Sequence, residues 1–302
     1  MRVALAVDIG GTKLAVGRVA ADGEVLDHRS APTLATTAAE AAAAPPTAAD
    51  AEALWQRLVA VVDEVRRGDE VLCGVGCGGP MEPGGTTVSP LNIHQWRDFP
   101  LRGRLAEHLG LPVAVDNDAK ALALGEGWQG AARGVDDFVA MVVSTGVGGG
   151  IVLGGQLLEG AAGNAGHIGH VVVVPDGRPC ACGGRGCLEA EASGTAIAER
   201  SGRAAAEAPP ELRERTGRLV GRAVGSVANL LDLRLAVVAG SVALGYGETF
   251  FAAAQAELDL RSQISYARGA RIIPGGLGAA GPLVGAAAVG WRAVDGGAPA
   301  GR

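Results

Sequence analysis

Residues 3–13 read VALAVDIGGTK, an apolar run followed by an acid, two glycines, a threonine and a lysine. The apolar run at 3–7 predicts a short buried strand, and the residues at 14–20 predict a second strand directly after the glycines. Glycines in such a turn let backbone amides approach an anion, and threonine and lysine side chains can point at phosphate oxygens. The segment is therefore a candidate phosphate-binding turn, with an ordinary hairpin turn as the alternative.

A similar segment occurs near the middle of the chain. Residues 138–143 read FVAMVV and predict a buried strand, STGVGGG follows at 144–150, and 151–158 predict a returning hairpin. Both glycine turns lead into strands, which excludes the P-loop and the dinucleotide-binding loop, because those loops open helices. We therefore expect a weak internal duplication whose two turns grip the two ends of a polyphosphate.

Strands and helices alternate along the rest of the chain, which predicts an α/β fold. Helical spacing occurs at 51–67, 101–109, 119–128, 216–231, 248–260 and 283–293, and strand patterns occur at 25–30, 71–77, 112–115, 235–239 and 271–274. Loops or frayed ends are expected at 35–50, 201–215 and 295–302. We expect a small N-terminal lobe over 1–115 and a larger lobe over 116–282, with a closing helix at about 283–302 packing back on the first lobe.

Composition narrows the classes of partner. The chain has 302 residues with 48% hydrophobic residues and a formal net charge of −6, which disfavours a surface for nucleic acid. No apolar run approaches the ~18 residues of a membrane span, and the apolar start is too short for a signal peptide. A cytoplasmic protein that acts on small molecules is expected, with no nucleic acid and no membrane as partners.

Three acidic or amide residues, Asp116, Asn117 and Asp118, lie between a predicted strand and a predicted helix. Such residues are favoured as helix caps, and capping is the interpretation that we keep for Asp116. Asp118 is the best candidate for a carboxylate that takes a proton from an attacking hydroxyl, because the chain has two candidate phosphate turns. Asn117 could hydrogen-bond the same acceptor molecule.

A histidine and three cysteines predict a metal site. His170, Cys180, Cys182 and Cys187 offer one imidazole and three thiolates, which fill the four positions of a closed structural zinc site. Free thiols in a loop are the alternative. His167 lies three residues before His170 and is expected to line a pocket, whereas Glu189 could interact with a helix dipole or point at a polyhydroxylated ligand.

Together these motifs resemble the ROK family of sugar kinases and regulators, within the actin-like ATPase superfamily. The motifs that carry the resemblance are DIGGTK at 8–13, DND at 116–118, STGVGGG at 144–150, GHIGH at 166–170 and CACGGRGCLEAEASG at 180–194. The resemblance implies a two-lobed actin-like, or ribonuclease H-like, fold with a mixed sheet flanked by helices in each lobe and a cleft between the lobes. It also implies a kinase that uses ATP and magnesium to phosphorylate a sugar hydroxyl, usually the 6-OH, and a homodimer or higher homo-oligomer.

The resemblance further implies roles for individual residues. Phosphate and nucleotide contacts are expected from Asp8, Gly10, Gly11, Thr12, Lys13, Thr145, Gly146 and Gly240, with Asp8 near the magnesium. Sugar contacts are expected from Gly79, Asn92, Asn117, Asp118, His167, His170 and Glu189. Asp118 would be the catalytic base, and His170 would serve both the zinc and the sugar.

The acceptor sugar is left open by two motifs that favour different substrates. His167 stands where glucokinases of the family carry Glu, and a neutral imidazole offers a donor and an acceptor where a carboxylate only accepts. Some N-acetylmannosamine kinases of the family read AGHIGH, as this chain does at 165–170, so an amino or N-acyl hexose such as N-acetylmannosamine or kanosamine is the alternative to glucose. The segment SPLNIHQW at 89–96 resembles the sugar-side loop of the glucose enzymes.

The sequence also bears on two other classes of function, a transcriptional regulator and a sugar-binding protein. A sugar-responsive transcriptional regulator of the family would carry a helix-turn-helix segment before the first glycine turn, whereas that turn begins here at Asp8. A zinc-stabilised sugar-binding protein without turnover would not need Lys13, Thr145 and Asp118 together. A kinase is therefore the leading expectation.

Overall fold

The computed structural model describes residues 1–33 and 47–295. Most of the loop expected at 35–50 and nearly all of the frayed end expected at 295–302 lie outside these residues. Among the residues described, no helix is both long enough and apolar enough to cross a membrane.

Strands and helices alternate along the described chain. The strands are β1 Val3–Ile9, β2 Lys13–Ala20, β3 Val25–Pro32, β4 Glu70–Cys77, β5 Val113–Asn117, β6 Phe138–Val143, β7 Val147–Leu153, β8 Gln156–Leu157, β9 Leu235–Ala239 and β10 Arg271–Pro274. The helices are α1 Ala48–Val65, α2 Leu101–Leu109, α3 Asp118–Gln129, α4 Leu188–Ala192, α5 Gly194–Ser201, α6 Pro210–Leu231, α7 Ser241–Tyr246, α8 Glu248–Arg261 and α9 Gly281–Asp295.

The chain divides into two compact units. The described part of the first unit comprises 1–33, 47–129, 159–164 and 279–295, and the second unit comprises 130–158 and 165–278. This division differs from the boundary at 115 that we expected, because α3 packs against α9 and β4 and so belongs to the first unit. The segment 159–164 also belongs to the first unit although both of its neighbours in sequence belong to the second.

The first unit is built on a mixed five-stranded sheet in the order β3-β2-β1-β4-β5. Strands β1, β2 and β3 pair antiparallel as the predicted meander, while β1, β4 and β5 run parallel. Apolar side chains of α1, among them Leu54 and Leu58, pack with Leu5 and Val7 of β1 in one core cluster. Helix α9 packs against β1 and β4, where a Cβ on Gly74 would lie 2.0 Å from the carbonyl oxygen of Ala286.

The second unit is built on another mixed five-stranded sheet, in the order β10-β9-β6-β7-β8. Strands β6, β9 and β10 run parallel, and β6 pairs antiparallel with β7. The two mixed sheets with flanking helices confirm the predicted α/β class. Helices α6 and α8 pack closely, since a Cβ on Gly221 would lie only 2.3 Å from the carbonyl oxygen of Ala254.

Two predicted boundaries were wrong. Strand β7 begins at Val147 and not at 151, because Gly148, Gly149 and Gly150 pair in register with Val142, Met141 and Ala140 of β6. These glycines therefore belong to the sheet, and the second turn is limited to Ser144–Gly146. Helix α6 begins at Pro210 and not at 216, because a proline is tolerated in the first turn of a helix.

Candidate active site and metal centre

The carboxyl ends of β1, β4 and β5 bring two predicted acids together. The parallel register aligns Asp8 of β1 with Gly76 of β4, and Gly76 with Asp116 of β5, directly before Asn117 and Asp118. A Cβ on Gly76 would lie 3.8 Å from Oδ1 of Asp8 and 3.6 Å from Cα of Asp118. Both acids therefore flank Gly76 at the edge where α/β sheets usually bind ligands.

The acid pair disfavours ionisation of Asp8. Desolvation at this half-buried position and the negative charge of Asp118 raise the pKa of Asp8 to about 7, although Lys13 opposes the rise. A cation bound beside these acids would stabilise the charged carboxylates. Because magnesium binds through one or two carboxylates together with substrate phosphates, the donor set at Asp8 fits magnesium.

The first glycine turn, Gly10–Lys13, is fixed by its own backbone and by Thr33. The amide of Gly10 donates to the carbonyl of Lys13 at 3.0 Å, and Oγ1 of Thr33 donates to the carbonyl of Gly10 at 2.6 Å. Thr12 and Lys13 are exposed and so can reach a ligand. Our sequence reasoning missed Thr33, because a threonine after a strand in a threonine-rich stretch gives no signal of its own.

Asn92 and Gly79, two predicted sugar-binding residues, also belong to the first unit. A Cβ on Gly11 would lie 2.8 Å from Cβ of Asn92, so Asn92 packs directly on the first glycine turn. A Cβ on Gly79 would lie 3.5 Å from Nδ2 of Asn117. Asn92 therefore lies next to the first glycine turn, and Gly79, just after β4, lies next to the Asn117 side chain.

Asn117 caps helix α3 and leaves Asp118 exposed at the first turn. Oδ1 of Asn117 accepts from the amides of Ala119 at 3.0 Å and Lys120 at 3.3 Å. The capping role that we assigned to Asp116 was wrong, because Oδ1 of Asp116 accepts from the amide of Asn117 at 2.8 Å. The cap fixes the backbone that carries Asp118, and Oδ1 of Asp118 itself accepts from the amide of Ala119 at 2.9 Å.

The second unit carries the other glycine turn. The carbonyl of Thr145 accepts from the amide and from Oγ1 of Thr195, at 3.3 Å and 3.1 Å. Gly240 follows β9 with a φ of 99°, and a Cβ there would lie 2.3 Å from the carbonyl oxygen of Val143. Thr145 and Gly240 therefore lie at the carboxyl ends of the neighbouring parallel strands β6 and β9.

Glu189, in the first turn of α4, binds the second glycine turn. Its Oε2 accepts from the amide of Val147 at 2.8 Å, and a Cβ on Gly146 would lie 2.8 Å from the same oxygen. The carboxylate is therefore hydrogen-bonded at one oxygen by the turn that precedes β7.

A cluster of four donor residues lies beside α4. The donor atoms of His170, Cys180, Cys182 and Cys187 all lie within 4.8 Å of one another. Sγ of Cys180 is 3.7 Å from Nδ1 of His170, and Sγ of Cys182 is 3.7 Å from Sγ of Cys187. A tetrahedral zinc with bonds of about 2.3 Å to sulfur would separate its sulfur ligands by about 3.7 Å, so the cluster fits zinc.

None of the three cysteines of the cluster forms a disulfide. Burial and hydrogen bonds from the neighbouring thiols raise the pKa of Cys187 to about 12. A thiolate there therefore needs a nearby positive charge, which a zinc ion would supply. The exposed ring of His167 lies 6.0 Å from the ring of His170, centroid to centroid, and His167 is not part of the cluster.

The predicted site residues are thus distributed over both units. The first unit holds Asp8, Gly10, Gly11, Thr12, Lys13, Gly79, Asn92, Asn117 and Asp118. The second unit holds Thr145, Gly146, His167, His170, Cys180, Cys182, Cys187, Glu189 and Gly240.

Two mixed sheets, each with a short glycine-containing turn at its strand ends, define an α/β protein of the actin-like ATPase class. Comparison with known families identifies it further, because the model of the ROK family matches residues 4–291. The chain belongs to the ROK family.

Two curated relatives are sugar kinases. The N-acetylmannosamine kinase of Escherichia fergusonii is 36% identical over 258 residues, which cover 80% of this chain and 84% of that kinase. The glucokinase of Thermotoga maritima is 41% identical over 196 residues, which cover 64% of this chain and 58% of that enzyme.

A solved structure agrees over nearly the whole fold. The crystal structure of a ROK family glucokinase from Streptomyces griseus, in complex with glucose and AMPPNP, has a TM-score of 0.79 and 30% sequence identity. The match covers 96% of this chain and 99% of that one. The predicted fold class and family are therefore confirmed.

Proposed function

We propose that this protein is an ATP-dependent hexose kinase that transfers the γ-phosphoryl group to a sugar hydroxyl, the 6-OH. The observation that carries the proposal is the placement of Asp118, exposed at the start of α3, beside Asp8 and on the same sheet edge as the first glycine turn. The kinase names of the curated relatives, and the glucose and AMPPNP of the Streptomyces griseus structure, support the same reaction.

In the proposed reaction, Asp118 acts as the base. Its carboxylate accepts the proton of the sugar hydroxyl while the hydroxyl oxygen bonds to the γ-phosphorus. The bond between the γ-phosphorus and the β–γ bridging oxygen breaks, and ADP leaves. Asn117 caps the helix that carries Asp118, and its Nδ2 is available on the side of Gly79 to bind the sugar.

The phosphates of ATP are assigned to the two glycine turns. In the first unit, exposed Thr12 and Lys13 offer a hydroxyl and an ammonium beside the amides of Gly10 and Gly11. In the second unit, Thr145 and Gly146 offer the other turn, and Gly240 lies near the adenosine. Asp8 would hold magnesium, which neutralises charge on the phosphates.

Zinc is assigned to His170, Cys180, Cys182 and Cys187. The four protein ligands fill a tetrahedral site, so the zinc would be structural and would take no part in phosphoryl transfer. His170 and Glu189 would position the sugar from the same part of the second unit. A homodimer or higher homo-oligomer and a cytoplasmic location complete the proposal, and light scattering on the purified protein tests the first of these.

An amino or N-acyl hexose is the second candidate acceptor. Exposed His167 favours it, because an imidazole can donate to an acyl oxygen, and the N-acetylmannosamine kinase matches over more of its length than the glucokinase does. Asn92 favours glucose, because it packs on the first glycine turn and belongs to the segment 89–96, which resembles the sugar-side loop of the glucose enzymes. ADP release measured with glucose, mannose, glucosamine, N-acetylmannosamine and kanosamine separates the candidates.

The Asp118→Asn variant tests the assignment of the base. Because the amide cannot accept the proton, kcat should fall by about 10²- to 10⁴-fold on the best sugar of the panel. Circular dichroism should remain unchanged, since Asp118 is exposed. The matched control is Asp63→Asn on α1, whose side chain is 53% exposed and pairs with His108. If Asp118→Asn retains most of the kcat, the assignment fails.

A further inference from the structure

Lys120 is a buried lysine two residues after Asp118. Its side chain is only 3% exposed, and its Nζ lies 3.3 Å from Oδ1 of Asp116. The ammonium also donates to the carbonyl of Gly163 at 3.1 Å and to a carboxylate oxygen of Glu159. A lysine this buried is costly to fold unless its charge is paired and its protons are bound, and all of its contacts meet that need.

The contacts of Lys120 belong to a larger set, the Lys120 network, which comprises Asp116, Lys120, Glu159 and Arg292. Nη1 of Arg292 lies 2.7 Å from Oε1 of Glu159 and 3.9 Å from Oδ2 of Asp116. The network joins β5, α3, α9 and the segment 159–164, all within the first unit. Two acids and two bases make it neutral, and Lys120 is its most buried member.

The network reaches the proposed base through backbone hydrogen bonds. Asp116, held by Lys120, accepts from the amide of Asn117, and Asn117 accepts from the amide of Lys120. These contacts run from Lys120 to Asp116, on to Asn117 and back to Lys120, and the backbone of Asp118 lies between the last two residues. Loss of the ammonium removes the ion pair that joins the Asp116 carboxylate to helix α3.

We propose that Lys120 is a positioning residue for phosphoryl transfer, whose ammonium fixes the Asp116–Asn117–Asp118 turn against the segment 159–164. The inference rests on the proposed kinase function. Lys120 does not touch the substrate in this account and acts through the turn that carries Asp118. A base displaced by a fraction of an ångström to an ångström loses catalytic efficiency while the phosphate turns still bind ATP.

The test compares Lys120→Met with a matched loss of a buried cation in the same unit. Arg18, whose side chain is 14% exposed, lies 2.7 Å from the fully buried carboxylate of Glu70. Glu70 is the first residue of β4 and Cys77 is the last, so Glu70 lies at the far end of the strand from the candidate active site. Arg18→Met therefore leaves a carboxylate short of its cation, as Lys120→Met does, but far along the strand from Asp118.

Both variants should lower the melting temperature, but only Lys120→Met should lower kcat, by about 10²-fold. The KM for ATP should stay within about twofold of the wild-type value in both, because neither residue lies in a glycine turn. The double variant Lys120→Met/Glu159→Gln restores the charge balance of the network and should recover part of the melting temperature without recovering kcat. The double variant also serves if Lys120→Met alone does not fold.

The outcomes separate this inference from the proposed function. A wild-type protein that phosphorylates no sugar of the panel overturns both. If the wild-type protein is active, two results overturn the positioning role alone. One is a Lys120→Met variant that keeps kcat within about threefold of wild type. The other is a double variant in which kcat recovers together with the melting temperature. A persistent loss of kcat in both Lys120 variants, with normal kcat in Arg18→Met, supports the positioning role.

Discussion

Gly76 shows how a single residue without a side chain determines what its neighbours can do. It lies between Asp8 and Asp118, and both acids are within ordinary van der Waals distance of the place where a Cβ would stand. The sequence identified both acids, because each follows a strand pattern and precedes a turn or a helix. It did not identify Gly76, because the pairing register of distant strands is not written in any local motif.

Glu191 is a buried carboxylate outside the candidate active site whose charge makes the stability of the fold depend on pH. Its carboxylate is 2% exposed and accepts from the amide of Arg178 at 2.8 Å and from Nη2 of Arg215 at 2.5 Å. Burial raises the pKa of Glu191, but these partners outweigh burial and hold the pKa below its usual 4.5. The charged form is therefore stabilised by folding.

The depressed pKa fixes the sign of the effect. The stability that the Glu191 carboxylate contributes is fully present above pH 4.5 and is lost as the pH falls through the lower folded-state pKa. Glu191→Gln should therefore lower the free energy of unfolding by about 2 kcal/mol at pH 7 and by less near pH 4. Urea denaturation at the two pH values measures the difference.

The control for this prediction is Glu199→Gln. Glu199 pairs with Arg178 on the surface, with its side chain 58% exposed, and its substitution should change stability by less than about 1 kcal/mol at either pH. An equal loss for Glu191→Gln at pH 7 and pH 4 would contradict the assigned role of its charge.

At the scale of elements, α4 connects the metal cluster with the second glycine turn. Cys187 directly precedes α4, Glu189 accepts from the amide of Val147, and the amide of Gly194 donates to the carbonyl of Ser144 at 2.7 Å. A metal that holds Cys187 thereby also holds the start of the helix whose side chain binds the turn.

Removal of the metal should therefore loosen this turn. The purified protein should contain about one zinc per chain, and chelation should speed hydrogen exchange at the amides of Val147 and Gly194. Amides of the first glycine turn, such as Gly10, should be unaffected and serve as the internal control. Unchanged exchange at Val147 in the metal-free protein would contradict the connection.

The close contact of α6 and α8 gives a second prediction at this scale. A Cβ on Gly221 would meet the carbonyl oxygen of Ala254 at 2.3 Å, so Gly221→Ala should push the helices apart and cost about 1–3 kcal/mol. Gly103, within α2, has no atom within 4 Å of its would-be Cβ. Gly103→Ala should instead stabilise the protein by up to about 1 kcal/mol.

Urea unfolding of the two variants tests the helix contact directly. Because both substitutions add the same methyl group to a helix, opposite signs of the stability change are expected. A stabilising Gly221→Ala would show that α8 moves away without loss.

The elements differ in how well periodicity predicts them. The expected bounds 101–109, 138–143, 235–239 and 271–274 are confirmed, because leucines four residues apart mark the helix and short apolar runs mark the three strands. Helices α5 and α7 were not predicted, and α4 was expected only as one interpretation of Glu189, since five to eight residues are too few to show a helical period. The start of β7 was missed because glycines lack the side chains on which strand patterns depend.

At the scale of the whole molecule, the sequence predicted the fold class, the family and the return of the closing helix to the first unit, but not that 116–129 and 159–164 also belong to that unit. Motifs such as DIGGTK and the cysteine loop are local in sequence, so they give no information on how the chain divides into units. Ion pairs of Glu159 with Lys120 and Arg292 join the segment 159–164 to the first unit. Such long-range pairs leave no periodic signal.

Across the whole molecule, glycines occur both in turns and where elements pack closely. Of the 49 glycines of the chain, Gly10, Gly11 and Gly146 lie in the two turns that the sequence predicts to bind phosphate. Others, such as Gly74 and Gly221, instead allow helices to approach strands and other helices closely. Some of the glycines therefore serve packing within each unit.

The packing of α9 against β1 and β4 determines when, during translation, the first unit can be completed. The ribosome completes residues 1–129 early, but the helix that covers their sheet is translated only with residues 281–295. All residues of the second unit have been translated by residue 278, before that helix exists. Domains generally fold from the N-terminus onward during synthesis, whereas in this chain the unit that begins first has to wait for the other to be finished.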